Sequence, residues 1–260
     1  MMTTRLPLSV FIIAQNEADR IGLTINSVKN WVDEIIVIDS GSRDDTVAVS
    51  ESLGARVVFN AWRGYGPQKV FGEGLCRNDW LLNLDADEEV SPELGAEIRA
   101  LFQRGQPSDV AYTLPILPLY PFQESGHRWT AFHHPVRLYR KQLAGFKDSP
   151  VHDSVVVHEG GVGKLKGMVI HRSFRSLTHH VEKANDVSSL RAQDLFRKNR
   201  DPSAFSLLAI PFFAFLKSYF LRREFVNGID GIVVSHMYAF QRFIRLAKAR
   251  ELHRQARRGK

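Results

Sequence analysis

The chain contains a single cysteine, Cys76, among 260 residues, so no intrachain disulfide can form. Such sparing use of thiols fits a reducing cytoplasm. Glycine-rich phosphate loops are also missing. No G-x-G-x-x-G opens the first helical pattern, and no G-x-x-x-x-G-K-[ST] occurs anywhere. A dinucleotide site of the common type and a P-loop are thereby excluded. The start, Met1-Met-Thr-Thr-Arg-Leu-Pro7, carries no apolar signal-peptide run ahead of the first strand. Internal repeats and low-complexity stretches are absent. Charge of one sign is scarce until the end of the chain. Residues 241–260 hold eight Lys/Arg and one acid, and the preceding 240 residues balance at 27 basic against 27 acidic side chains. The net charge of +7 is therefore a C-terminal feature.

What is present begins at residue 8. Leu8–Ala14 reads as a buried strand that stops at Gln15-Asn16-Glu17, and a helical pattern follows to about Asn30. Glu34–Asp39 is a second strand, closing in Asp39-Ser-Gly-Ser-Arg-Asp-Asp-Thr46. A helix to about Leu53, a strand over Ala55–Phe59, a helix over Gly66–Arg77 and a strand over Asp79–Leu84 complete the alternation. Strands and helices at these spacings require parallel crossovers, hence an open α/β sheet. Ligands of such sheets bind beyond the carboxyl ends of the strands. Three of those ends are polar here: Gln15-Asn16-Glu17, Asp39-Ser40 and Asp85-Ala86-Asp87.

The last of these is the most informative. Trp80–Leu84 is a short apolar run, and four acids follow it within five positions. In extended backbone, residues i and i+2 share a side. Asp85 and Asp87 can thus converge just past the strand, a donor set suited to a hard divalent cation that takes further ligands from a phosphate. The competing reading is a solvated acidic turn. A phosphatase of the haloacid-dehalogenase type also carries DxD after a strand, but after its first strand, whereas here the motif follows the fourth.

Val10-Phe-Ile-Ile-Ala-Gln-Asn-Glu17, Ile36-Val-Ile-Asp-Ser-Gly-Ser-Arg-Asp-Asp-Thr46 and Leu82-Asn-Leu-Asp-Ala-Asp-Glu88 together resemble the family 2 glycosyltransferases of GT-A fold. Val151-His-Asp153 and Leu165-Lys-Gly-Met-Val-Ile-His171 narrow the likeness to bacterial lipopolysaccharide core β-glucosyltransferases. The resemblance implies an α/β, Rossmann-like mixed sheet flanked by helices, a UDP-sugar donor, and Mg²⁺ or Mn²⁺ as cofactor. It implies that Gln15, Asn16, Glu17, Asp39, Ser40, Lys69 and Asp85 bind the donor, with Glu17 and Asp39 accepting hydrogen bonds from ribose and uracil. It assigns Asp87, with Asp85 and a late histidine, His171, to the metal. His171 and Lys69 have plainer alternatives as a hydrogen-bonded strand-end residue and an exposed helix lysine.

The acceptor half, residues 106–200, is less readable. Tyr112–Tyr120 is extended and interrupted by prolines, which suits an edge strand or covering loop. Pro135–Arg140 and Ser154–His158 read as strands. Inverting transfer needs a base for the acceptor hydroxyl, and the resemblance places it at Asp153 in the pair His152-Asp153. That aspartate stands where related enzymes often have glutamate, and Glu159 is the next candidate. His133-His134 and His179-His180 read as surface or acceptor-cleft residues.

Residues 201–260 read as a helical, basic, membrane-associated extension to a catalytic domain spanning residues 1–200. Ala204–Leu221 is apolar, shorter than the ~20 residues of a comfortable span, and interrupted by Pro211 and Lys217. It reads as monotopic. Val226, Ile229, Val233, Met237, Phe240, Ile244 and Ala247 form an apolar stripe at helical spacing. Arg242, Arg245, Lys248 and Arg250 beside its end suit an anionic inner-leaflet surface. No recognised nucleic-acid motif accompanies this charge. The expectation is an inverting hexosyltransferase on the cytoplasmic face of a bacterial inner membrane, moving glucose from a UDP-sugar to a lipid-linked saccharide. Two alternatives stay open: a sugar-nucleotide-forming nucleotidyltransferase, and a non-catalytic membrane-binding module that keeps the fold.

Overall fold

The computed structural model describes residues 5–103, 105–121, 123, 126–130, 133–149 and 154–258. The described chain divides into two compact units, one of residues 1–118 and 131–172, the other of residues 119–130 and 173–260.

The first unit is built on a seven-stranded mixed sheet. β1 (Leu6–Ala14) lies inside it, parallel to β2 (Val32–Asp39) on one side and to the central strand β4 (Trp80–Asp85) on the other. β3 (Arg56–Phe59) extends the parallel half beyond β2. Val10, Phe11, Ile12, Ile36, Val37, Ile38, Leu81 and Leu82 are all fully buried. These near-continuous apolar runs are covered on both faces, as expected of a parallel sheet. The covering helices are α1 (Ile21–Val28), α2 (Thr46–Ser52), α3 (Tyr65–Leu75) and α4 (Pro92–Gln103). α3 sits close on the sheet because Gly72 has no side chain. A Cβ there would lie 2.8 Å from Ile38 Cδ1 and 2.9 Å from Phe11 Cδ2.

Beyond β4 the sheet is mixed. β8 (Val136–Arg140) pairs antiparallel with β4 and with β6 (Ala111–Thr113), and β11 (Val162–Lys164) closes the edge parallel to β6. A second, three-stranded sheet has the order β5 (Glu88–Val90), β12 (Val169–His171), β7 (Ile116–Pro118). β9 (Ala144–Phe146) and β10 (Val155–Val157) form a separate antiparallel pair. The proline-interrupted run Tyr112–Tyr120 therefore divides between two sheets. Its second piece, β7, is an edge strand as expected, but its first, β6, is paired on both sides. The prolines fall outside the doubly paired stretch, so no ladder bond is lost there.

The second unit is helical: α5 (Leu177–Arg197), α6 (Ala204–Leu216) and α7 (Gly228–Arg258). α6 widens into a π turn over Lys217–Leu221, and a single 3₁₀ turn, Glu224–Asn227, leads into α7. Ser176 and Ser203 cap α5 and α6 by accepting from the backbone N–H groups of His179 and Ser206. The residues that α7 buries are Gly231, Ser235, Leu246, Ala249 and His253. This departs from the apolar stripe read from the sequence. Val226 precedes the helix, while Ile229, Val233 and Phe240 are exposed. In its first turns α7 buries only the small Gly231 and Ser235, and Leu246, Ala249 and His253 are buried farther along. The expected free basic face is also altered. Lys248 Nζ donates to Asn185 O (2.8 Å), Asn185 Oδ1 (2.7 Å) and Ser189 Oγ (2.7 Å) on α5. Arg250 donates to Pro202 O at 2.6 Å, and Arg242 to Tyr238 Oη at 2.8 Å. Lys248 and Arg250 thus tie α7 to α5 and to the start of the α6 segment, while Arg242 bonds within α7.

Candidate active site

Parallel register brings the three polar strand ends level. Ala14 of β1 pairs with Asp39 of β2, and Ile13 with Asp85 of β4. Gln15–Glu17, Asp39–Ser40 and Asp85–Asp87 therefore share one rim of the sheet.

At the first strand end the chain turns through Asn16, whose φ of 57° lies in the left-handed region that Asn tolerates better than most residues. Asn16 Oδ1 accepts from Arg43 N at 2.8 Å, and Asn16 N donates to Ser42 Oγ at 2.9 Å. Gln15 Nε2 donates to Ser40 O at 3.3 Å. Glu17 N donates to Thr46 Oγ1 at 2.8 Å. The loops after β1 and β2 are thus laced to each other. Asp39 is buried and accepts from Gly41 N (2.9 Å), Ser42 N (3.0 Å) and the Ser42 hydroxyl (2.5 Å). It shapes its own turn, and an ionised carboxylate has about four acceptor sites to share with a ligand. Ser40 Oγ accepts from Gln68 Nε2 on α3 at 2.9 Å.

The DxD end is a network of buried charges. Asp85 lies between Lys69 Nζ, 3.0 Å from Oδ1, and Arg137 Nη2, 3.1 Å from Oδ2. Burial alone would raise the Asp85 carboxyl, but the two cations outweigh it and hold it well below the usual carboxylate range. Arg137, from β8, also reaches Glu88 Oε1 at 2.9 Å and the Asn83 amide oxygen. Glu88 accepts from Asp85 N at 2.8 Å and is 1% exposed, and burial raises its carboxyl pKa despite Arg137. The tip is therefore set by side chains from β4, β5, β8 and α3.

Asp87 faces a different group. β12 pairs antiparallel to β5 with His171 opposite Glu88, which carries the imidazole to Asp87. His171 Nε2 lies 3.3 Å from Asp87 Oδ2. Burial opposes ionisation of both. Their mutual contact wins, lowering the Asp87 pKa and raising that of His171. Arg20 links this pair to Glu17 at the end of β1. Its Nε donates to Glu17 Oε2 at 2.5 Å, and its Nη1 lies 3.6 Å from Asp87 Oδ2.

The structure thus unites Asp87 with His171 and turns the Asp85 carboxylate toward Lys69 and Arg137. Among the described residues no three His, Cys, Asp or Glu side chains converge as a ready metal cluster. The carboxylate–imidazole pair still fits a divalent cation that draws its other ligands from a diphosphate and water. Lys69 is fully buried beneath Asp85. It is paired with that carboxylate and is not an exposed helix lysine. Asp153, like His152, lies outside the described residues. Just before them, Ser149 O accepts from Gly66 N at 3.2 Å, and β10 follows from Val155. Glu159 is exposed in the turn after β10.

Sequence reasoning missed Arg20, Glu88 and Arg137. Arg20 was findable as the i+3 partner of Glu17. Arg137 was not, because nothing local in Val136–Arg140 says that its strand will lie beside β4.

A mixed sheet with a nucleotide rim at the ends of β1, β2 and β4, and a DxD turn on the last of these, is the GT-A arrangement of nucleotide-sugar transferases. The family model "Glycosyl transferase family 2" matches residues 9–155. The chain belongs to that family of glycosyltransferases. It is 45% identical to an uncharacterized glycosyltransferase of Rickettsia felis over 253 residues, covering 94% of this chain and 89% of the relative. It is 30% identical to the lipopolysaccharide core biosynthesis glycosyltransferase LpsC of Rhizobium meliloti over 261 residues, covering 97% and 95% of the two chains. Among solved structures, S. aureus TarS 1–349 in complex with UDP-GlcNAc aligns with a TM-score of 0.48 at 14% identity, covering 96% of this chain and 92% of that one.

Proposed function

We propose that this glycosyltransferase inverts configuration as it moves a hexose, glucose in the first instance, from a UDP-sugar to a lipid-linked saccharide such as the lipopolysaccharide inner core. The observation that carries the reading is the Asp87–His171 pair, set on the same rim as Glu17 and Asp39. Similarity to LpsC over almost the whole chain supports a core-saccharide acceptor.

In this reading Glu17 and Asp39 accept hydrogen bonds from the ribose and uracil of the donor. Arg20, bridging Glu17 and Asp87, holds the nucleoside and diphosphate ends of the rim in register. Asp87 and His171 hold Mg²⁺ or Mn²⁺, with Asp85 in the surrounding shell. A bound cation supplies Lewis-acid stabilisation of the departing diphosphate. Lys69 and Arg137 keep Asp85 ionised and fix the strand end. The acceptor hydroxyl gives its proton to Asp153 as its oxygen bonds to C1 and the C1–O bond to UDP breaks on the opposite face. General-base help of this kind contributes about 10²–10⁴-fold. The enzyme works on the cytoplasmic face of a bacterial inner membrane, to which its helical unit binds.

Purified protein incubated with a panel of sugar nucleotides, Mn²⁺ and a core-saccharide acceptor tests this. The expected result is acceptor-dependent release of UDP from a UDP-hexose, lost in Asp153→Asn. Release of pyrophosphate from a nucleoside triphosphate and a sugar phosphate would instead mark a nucleotidyltransferase. No turnover with any donor would favour a non-catalytic module.

A further inference from the structure

The helical unit is built outside-in. α6 and α7 pack through small residues, with Ala214 and Ser218 buried on one and Gly231 and Ser235 on the other. Gly231 also lets α7 close on the preceding 3₁₀ turn, where a Cβ would lie 1.8 Å from Glu224 O. Phe215 packs on His236 of α7 with ring centroids 4.6 Å apart, but most of the large apolar residues point away. Phe205 is 78% exposed, Leu208 76% and Ile229 80%, with Phe212, Leu221 and Ile232 exposed as well. Phe205, Leu208 and Phe212 follow the i, i+3, i+7 spacing of one helix face. Small residues at a helix–helix contact with large ones outside is the pattern of helices that meet lipid. Ala204–Leu221 contains no acid, while Lys217 and Arg223 are exposed near its end, so the face complements an anionic surface.

The bonds of this unit also decide how the face meets lipid. The α6–α7 turn is held by residues 119–130, since the Tyr120 hydroxyl donates to Glu224 Oε2 at 2.6 Å and Gln123 Nε2 to Asp230 Oδ2 at 3.2 Å. That segment leaves the catalytic unit after Pro118 and rejoins it at Ala131. Half of twelve residues reaches at most ~20 Å, short of the ~30 Å hydrocarbon core. A tether of that length cannot carry the turn across a bilayer. The opposite end of α6 is tied to α7 by Arg250 to Pro202 O and by Arg257 to Asp201, each at 2.6 Å. Phe196 at the end of α5 packs on His253 of α7 with ring centroids 4.9 Å apart. Were α6 to span, α5 would have to cross with it. α5 exposes Glu182, Lys183, Asp186, Arg191, Asp194 and Arg197, and ionisable groups facing lipid in mid-bilayer are prohibitively costly.

We infer that α6 and the first turns of α7 lie in the plane of an anionic membrane surface, seated through Phe205, Leu208, Phe212 and Ile229, and do not cross it. The inference rests on the membrane association proposed above. Its test uses the full chain. Wild type and the triple variant Phe205→Gln/Leu208→Gln/Phe212→Gln are floated with vesicles of about four parts zwitterionic to one part anionic lipid. Both are also sized by light scattering and checked by circular dichroism. The wild type is expected to float, and the variant, with an unchanged spectrum, to lose at least about tenfold in bound fraction. Equal flotation of the two would overturn this face while leaving membrane association standing. A wild type that stays off vesicles, whether monomeric or dimerised through this face, would overturn both.

Topology is read separately in cells. Arg200→Cys and Arg223→Cys place a thiol at each end of α6, against a background of one buried cysteine, Cys76. A membrane-impermeant maleimide should label both in inverted inner-membrane vesicles and neither in spheroplasts. Labelling of either from the spheroplast side would establish a span and overturn the in-plane arrangement.

Discussion

Arg137→Met removes the cation that organises the DxD tip, and its cost follows from the partners left behind. Arg137 is 8% exposed and Glu88 1% exposed, with 2.9 Å between Nη2 and Oε1. Without Arg137, Glu88 keeps only the Asp85 N–H among the bonds described, and Asp85 keeps Lys69. Removing one partner of a buried pair costs about 3–5 kcal/mol, because the other charge stays desolvated. For a domain of this size each kcal/mol moves Tm by roughly 2–4 °C, so the catalytic unit should melt about 6–20 °C lower. Differential scanning calorimetry of the full chain measures it. Arg137→Lys should fall between wild type and Arg137→Met, since a point charge cannot fork to Glu88 and Asn83 together. Adding Glu88→Gln to Arg137→Met should recover part of the loss by removing the stranded charge. A shift below about 2 °C for Arg137→Met, or no recovery in the double variant, would refute the idea that this network holds the site.

Four further outcomes follow from the packing. Tyr139 is fully buried and donates to Glu73 Oε1 at 2.5 Å, so Tyr139→Phe should cost about 1.5–3 kcal/mol near neutral pH. Burial raises the Glu73 pKa above its ordinary 4.5. The folded state thus binds that proton more tightly than the unfolded chain, and the Glu73 contribution to stability fades as pH rises through the folded value. Loss of the Tyr139 hydroxyl raises it further, so the variant's deficit should shrink as pH falls below neutral toward the folded value; a constant or growing deficit in melts over that fall would contradict this. Gly231→Ala should destabilise the helical unit by about 1–3 kcal/mol through overpacking. By contrast Gly74→Ala, with nothing within 4 Å of its Cβ, should be stabilising by about 0.5–1 kcal/mol, both read from thermal melts. Cys76 is buried and its thiol is pushed up to about 12 by burial first and Glu34 second, so a thiol reagent should react with it only after unfolding.

The parallel half of the fold was legible in the sequence because its strands are buried on both faces and each ends in polar residues. β1, β2 and β4 begin and end within about two residues of the apolar runs, and β4 takes in Asp85 itself. Beyond it, Pro135–Arg140 and Ser154–His158 were read as strands and are β8 and β10, but their pairing was not legible. The remaining strands run three residues each, too short for a periodic signal, and pairing depends on contacts between segments as far apart as β5 and β12. Asp85, Asp87 and His171 could be named from sequence, yet not their partners. Only the register of β12 on β5 puts His171 beside Asp87, and only β8 beside β4 gives Asp85 its arginine. In the helical unit, spacing showed that α7 has an apolar stripe but could not tell which way it faces. Small residues took the inner face of its first turns, and the cations of its second half, which look free in sequence, turned inward to α5 and to residues 201–202.

The central claim is that Asp87 and His171 form the diphosphate end of a metal-assisted donor site. Isothermal titration calorimetry with UDP, in Mn²⁺ and in EDTA, tests it most directly on wild type, Asp87→Asn and His171→Ala. The account predicts wild-type binding of UDP that weakens at least about tenfold in EDTA, and variants whose affinity in Mn²⁺ falls to that EDTA level while their melting profiles remain cooperative. Undiminished UDP binding by the wild type in EDTA, or by Asp87→Asn in Mn²⁺, would contradict it.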